Sequence, residues 1–323
     1  MSQQRHLLAC ALLLVAAVLS GCAAPGVREA THDNKLPRQH ELTDTPFFPQ
    51  EQYQCGPAAL ATALNAIDIK VTPDQLTPEV YIPSRQGSLQ IEMLAATRRH
   101  GAIPYVISPN LQALLQEIAA GNNVLVMQNL GLSFAPSWHY AVVVGYDLDR
   151  ELIWLRSATY ERFEMTLSTF ERTWARSQHW AFVAKPPGVL PASIDAAQAA
   201  RALIAFEQNA PAAAAEQAYE AAVQRWPDDL VLRMGAGNSA YRNGDIAGAH
   251  QAFQSAVEQH PQSAAAHNNL ASILMEQGKL DQAQQHASQA LALAEGDAAL
   301  KQQVQQTLNE IDAKRHPARK QAR

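Results

Sequence analysis

Hydrophobic residues fall into two regimes along this 323-residue chain. Between about residues 45 and 185, helix-period and strand-period stretches alternate; from Ile194 onward the chain is Ala- and Gln-rich and keeps a helical period throughout. In the first regime, Leu60, Leu64 and Ile67 at i, i+4, i+7 predict a helix beginning at Cys55, with Pro57 in the first turn, where a missing N–H costs nothing. Residues 73–81 predict a short helix or turn. A helix capped by Ser88 and ended by Gly101 follows, with Leu89, Met93 and Leu94 inward, then a strand over 103–107. Leu111, Leu114, Leu115 and Ile118 mark a helix closed by Gly121. Residues 124–130 predict a buried strand, and 138–146 carry the strongest strand pattern in the chain. A turn at 147–150 returns the chain as a strand over 151–157, then a third over 161–167, a helix over 169–176 and a closing strand over 179–184. A leading helix followed by an antiparallel meander is an α+β arrangement. The run Pro186-Pro187-Gly188-Val189-Leu190-Pro191 breaks every regular pattern, so 186–193 reads as a linker between a domain at 45–185 and an all-α region at 194–313.

The helical region repeats. Pro227 and Pro261 stand 34 residues apart, as do Gly244 and Gly278, Tyr219 and Phe253, Ala215, Ala249 and Ala283, and Ala222, Ala256 and Ala290. This period, with Gly between helices, small residues at fixed offsets and a closing Pro, resembles the tetratricopeptide repeat. Two units fit well (230–263 and 264–297), one is degenerate (196–229), and a last helix to Ala313 caps the stack. Alanines let paired helices approach and the aromatic fills the gap between neighbours. The physical use of such a curved surface is to bind a peptide or protein segment; Asn238, Asn268 and Asn269 offer side-chain amides for it. A generic Ala-rich bundle is the alternative.

Composition narrows the function classes. Net charge is −5, which argues against a nucleic-acid surface. Residues 314–323 form a locally basic tail. At the other end Arg5 precedes an apolar run over 7–19, too short for a bilayer-spanning helix. The run ends in Leu19-Ser20-Gly21-Cys22, which resembles the bacterial lipoprotein box. The resemblance implies a signal peptide over 1–21, lipid on Cys22, and, with Ala23 and Ala24 following, the outer membrane facing the periplasm. Polar, turn-prone residues to 44 read as a tether. Of three cysteines, Cys10 leaves with the signal and Cys22 carries lipid, so Cys55 is the one remaining thiol and no intramolecular disulfide is available. A lone thiol in an oxidising compartment is accounted for if it does chemistry or is deeply buried.

Cys55 stands at a sharp Gly-Pro turn, where a helix N-terminus favours thiolate over thiol. His139, at the start of the best strand and flanked by Trp138 and Tyr140, is the candidate base. The residues Phe47-Phe48-Pro49-Gln50, Cys55-Gly56-Pro57-Ala58-Ala59-Leu60 and His139-Tyr140-Ala141-Val142-Val143-Val144-Gly145-Tyr146 resemble the papain-like peptidases typified by bacteriocin leader peptidases, which cut after double-glycine leaders. That resemblance implies a papain-like cysteine peptidase domain with Cys55 as nucleophile, His139 as base, and an upstream Gln donating to the oxyanion together with the Cys55 N–H. Gln50, Gln52 and Gln54 are the candidates; Gln50 is preferred because it follows Phe-Phe-Pro. The family's Asp after the histidine is missing. With the hairpin centred between Leu148 and Asp149, His139 lies opposite about residue 158, and Ser157 occupies the acid's place. Asp147 and Asp149 sit roughly 25 Å along the strand, out of reach. The reading is a lipid-anchored envelope cysteine peptidase acting on a protein or peptide, with no cofactor and no metal, its repeats recruiting a protein partner. The alternative is a catalytically idle peptidase-like domain in an envelope adaptor.

Overall fold

The computed structural model describes residues 25–32, 35–50 and 54–316. Its elements, in chain order, are α1 (Pro25–His32), β1 (Gln39–Glu41), α2 (Cys55–Asn65), α3 (Pro73–Val80), β2 (Tyr81–Ile82), β3 (Gly87–Ser88), α4 (Gln90–Arg99), β4 (Ile103–Val106), α5 (Leu111–Ala119), β5 (Val124–Asn129), β6 (Trp138–Asp147), β7 (Leu152–Ser157), β8 (Tyr160–Thr166), α6 (Leu167–Ala175), β9 (Ala181–Lys185), α7 (Ala196–Glu207), α8 (Ala212–Arg225), α9 (Leu230–Arg242), α10 (Ile246–Gln259), α11 (Ala264–Glu276), α12 (Leu280–Leu293) and α13 (Ala298–Arg315). Contacts divide the described residues into two compact units: those before residue 90 with 107–183, and 90–106 with those from 184 onward.

In the first unit β9, β5, β6, β7 and β8 lie side by side in that order, each antiparallel to the next. Strand β1 pairs β6 at Gln39↔Asp147, beyond the stretch that β5 covers. The β6 run is apolar without alternation because both faces are covered: Tyr140 to Leu148 are buried. Helices α2 and α5 both pack on β6, and Leu60, Leu64, Leu114, Ile118, Trp154 and Trp174 fill the core. Helix α3 is fixed by a capping box between Thr72 and Gln75.

Three expectations change. The tether is structured from Pro25: α1 packs on α5 and α6 with Val27 and Ala30 fully buried, and β1 joins the sheet. Ser88 does not cap α4; it ends the β2–β3 ribbon, and its carbonyl accepts from the Tyr140 hydroxyl at 3.2 Å. The β6–β7 turn lies one residue later than expected, over 148–151 with Glu151 at φ 52°, and a bulge between Val143 and Gly145 takes back part of the shift. By contacts, residues 90–106 group with those from 184 onward. Residues 1–24, which carry the expected signal peptide and Cys22, lie outside the described residues, as do Gln52 and the tail from Pro317.

In the second unit α7 packs on β4, and the Gln198 side chain donates to the Val106 carbonyl at 3.2 Å. Helices α9 and α11 open the two better repeats behind Asp229 and Ser263, whose side chains accept from Leu232 N–H and Ala266 N–H. Gly244 and Gly278 hold matching left-handed turns at φ 83° and 73°. The repeated aromatics seat against glycine: a Cβ on Gly235 would lie 2.2 Å from the Tyr219 ring, and one on Gly237 2.4 Å from the Phe253 ring. In an open helix Gly→Ala stabilises by roughly 0.5–1 kcal/mol. Here overpacking dominates, so Gly235→Ala and Gly237→Ala should each destabilise by about 1–3 kcal/mol, read as an earlier urea midpoint.

Candidate functional site: a thiol and an imidazole at the end of one strand

Cys55 is the first residue of α2. Gln54 before it is non-helical and makes no side-chain cap, so the opening N–H groups stay available. The Tyr140 N–H on β6 points to the Cys55 sulfur, as do the N–H groups of Gly56 and of Cys55 itself. These contacts pull the thiol pKa down, but burial is the larger effect and pushes it above its ordinary 9.0. The expected helix-end thiolate is therefore not the resting form. The Tyr140 phenol is held protonated first by burial and then by the neighbouring Cys55.

His139 precedes Tyr140 on the strand and is half-buried. Burial lowers its pKa to about 4, so the ring is neutral at pH 7. Its Nε2 lies 2.9 Å from Ser157 Oγ. The β6–β7 ladder ends at Val142↔Arg156, and continuing that register sets Ser157 opposite Ala141. His139 thus reaches it along the diagonal of the same face. Asp149 instead pairs with Arg38 at 2.8 Å, and Asp147 accepts from the Arg150 N–H. Gln50 donates its backbone N–H to the Ala158 carbonyl at 3.0 Å, next to Ser157. Ala158 opens the two-residue β7–β8 turn at φ 52°, with Ser157 and Tyr160 paired across it. The structure therefore places Cys55 beside Tyr140, Ser157 on His139, and Gln50 at the turn after Ser157.

Arg156 is a positioning residue that the sequence reading missed. It is buried without a carboxylate partner: Nε and Nη2 donate to Thr45 O, Nη2 also to Thr43 O, and Nη1 to Glu161 O. It ties the segment leading to Gln50 onto the strand that carries Ser157. The signal was present, since a charge inside Leu152-Ile153-Trp154-Leu155-Arg156 must find partners. Arg156→Ala strands three carbonyls and should cost about 3 kcal/mol or more by denaturant titration.

Among the described residues no group of three or more His, Cys, Asp or Glu side chains could hold a metal ion, and no helix is long and apolar enough to cross a membrane. In the second unit, Asn269 donates to Asn238 Oδ1 across α9 and α11 at 3.2 Å. A cleft of about 380 Å³ between α8, α9 and α10 is lined by Glu216, Glu220, Arg233, Gln251 and Ser255.

Two family models match the chain. Residues 42–182 match the family described as Peptidase_C39 like, and residues 234–298 match the tetratricopeptide repeat. The chain thus carries a C39-like peptidase domain followed by tetratricopeptide repeats. No curated protein matches it. Among solved structures, it is similar to a C39-like peptidase from Bacillus anthracis at 17% identity and TM-score 0.38, covering 46% of this chain and 97% of that one. It is also similar to SycD, a type III secretion translocator chaperone of Yersinia enterocolitica, at 17% identity and TM-score 0.35, over 37% of this chain and 85% of that one. A third is the first tetratricopeptide domain of Spaghetti (RPAP3) bound to an HSP90 peptide, at 16% identity and TM-score 0.33, over 36% and 90%.

Proposed function

We propose that this protein is a cysteine peptidase of the cell envelope, anchored by lipid on Cys22, whose repeats recruit a protein or peptide partner. The observation that carries the proposal is the pairing of His139 with Ser157 at 2.9 Å, one residue along the strand from the N–H that meets the Cys55 sulfur. The resting pair is neutral. As the sulfur attacks a peptide carbonyl, the thiol proton passes to the free imidazole nitrogen, Nδ1, while Nε2 stays with Ser157. The imidazolium then gives that proton to the leaving amine. Water, activated by the same ring, releases the acyl group from sulfur. The Cys55 N–H and the Gln50 amide stabilise the oxyanion. The outer membrane, facing the periplasm, is the proposed site of anchoring. Partner binding is assigned to the repeat surface, with its paired Asn238 and Asn269 amides and the polar cleft at Arg233.

The neutral pair and the absent carboxylate also favour a second reading, in which the domain is catalytically idle and the protein is an adaptor. A peptide library incubated with the full chain separates them. Cleavage by the wild type and none by Cys55→Ala supports the peptidase; equal, background cleavage by both leaves the adaptor.

A further inference from the structure

The segment between β5 and β6, Leu130-Gly131-Leu132-Ser133-Phe134-Ala135-Pro136-Ser137, has no charged residue. It leads directly to Trp138 and His139. Its apolar side chains point outward: Phe134 is 85% exposed, Leu132 55%, and Leu130 and Trp138 50% each. The loop is prebuilt. Leu132 and Ala135 exchange both backbone bonds at 3.1 Å, and Asn129 Oδ1 accepts from Gly131 N–H and Ser137 N–H. Arg176 Nη1, just past α6, donates to the carbonyls of Asn129 and Gly131. An apolar side chain of a ligand calls for a concave pocket. A convex apolar knob held rigid in water suits a lipid interface instead.

Two further observations select the same partner. Arg176, bonded to the loop, is exposed, and so is Arg172 one turn earlier on α6, whereas Glu171 next to Arg172 is turned in to pair with His179 at 2.8 Å. Basic residues next to an apolar knob suit anionic headgroups. The start of α1 lies on the same helix: a side chain at Gly26 would touch the Glu171 carboxylate at 3.6 Å. Cys22 stands four residues earlier, a reach of at most about 14 Å. We propose that the 130–137 loop, with Arg172 and Arg176, docks on an anionic phospholipid surface beside the lipid on Cys22. This rests on the anchoring proposed above, and it brings the end of β6 that carries Trp138 and His139 to the lipid surface.

The test is the lipidated full chain in vesicles of phosphatidylcholine and phosphatidylglycerol. A nitrobenzoxadiazole probe is placed at Phe134→Cys or, as control, at Lys70→Cys, each with Cys55→Ser to leave one reactive thiol. The probe at 134 is expected to shift to the blue and be quenched by brominated lipid, and the one at 70 to remain aqueous. In the non-lipidated Cys22→Ser chain, Phe134→Ser should weaken vesicle partitioning by about tenfold. A chain that floats with the vesicles while the 134 probe stays in water overturns the docking and leaves the anchor. A 134 probe shielded only when peptide is added also overturns it, and assigns the loop to substrate. A full chain that does not float overturns both anchoring and docking.

Discussion

Iodoacetamide should alkylate Cys55 slowly at pH 6 and about a thousandfold faster at pH 9. The thiol is the resting form, its pKa held above 9.0 by burial, and the thiolate fraction rises about tenfold per pH unit below the pKa. A preformed thiolate–imidazolium pair would instead show a plateau reaching down to acid pH, which is what a helix N-terminus alone suggested. Hydrolysis should follow a different curve. It needs neutral imidazole, so kcat/KM should stay level down to about pH 5 and fall as the ring takes up a proton near 4. His139→Ala should lower kcat/KM by about 10²- to 10⁴-fold, yet change alkylation at pH 6 little, because no ion pair is lost. Fast alkylation at pH 6 that disappears in His139→Ala would show that the pair is ionised after all.

Ser157→Asp should raise kcat/KM by about ten- to a hundredfold. A carboxylate in place of Ser157 Oγ, 2.9 Å from Nε2, raises the pKa of the ring and stabilises the imidazolium formed during attack. The thiol beside it should then lose its proton more readily, so an alkylation plateau should appear near neutrality. Ser157→Ala, which removes one neutral hydrogen bond of about 1 kcal/mol, should cost only about fivefold. The buried position makes Ser157→Asp costly to fold, so Ser157→Asn is the companion variant. Its amide oxygen also accepts from the ring, and it should hold kcat/KM at or above the wild-type value. If neither substitution moves kcat/KM or alkylation in a folded chain, Ser157 has no part in orienting His139.

The placing of Ser157 near His139 was legible from counting residues around one turn, even though the turn lies one residue later than expected. The error was absorbed because a bulge restored part of the register and because diagonal neighbours on one face still touch. The α+β order and the 34-residue period were legible for a simpler reason: both are patterns of apolar and small residues repeated over many positions. The protonation states were not. They depend on how deeply Cys55 and His139 are buried, and that is set by the packing of elements far apart in the chain, such as α2 on β6. Helix α1 was hidden because Pro25–His32 offers little beyond Val27 and Ala30 to mark an inner face. Arg156 was passed over because its partners are backbone carbonyls, which leave no trace in side-chain patterns.

The excursion of 90–106 into the helical unit bears on how the chain comes to be folded. Ile103 and Tyr105 are fully buried, and their strand is packed by α7, made some ninety residues later. During synthesis this stretch waits for the α7 side of its cover until the ribosome has passed the proline-rich linker. Cutting at that linker would therefore not release a clean N-terminal fragment: the released piece would keep 90–106 and lose the part of its cover that α7 supplies.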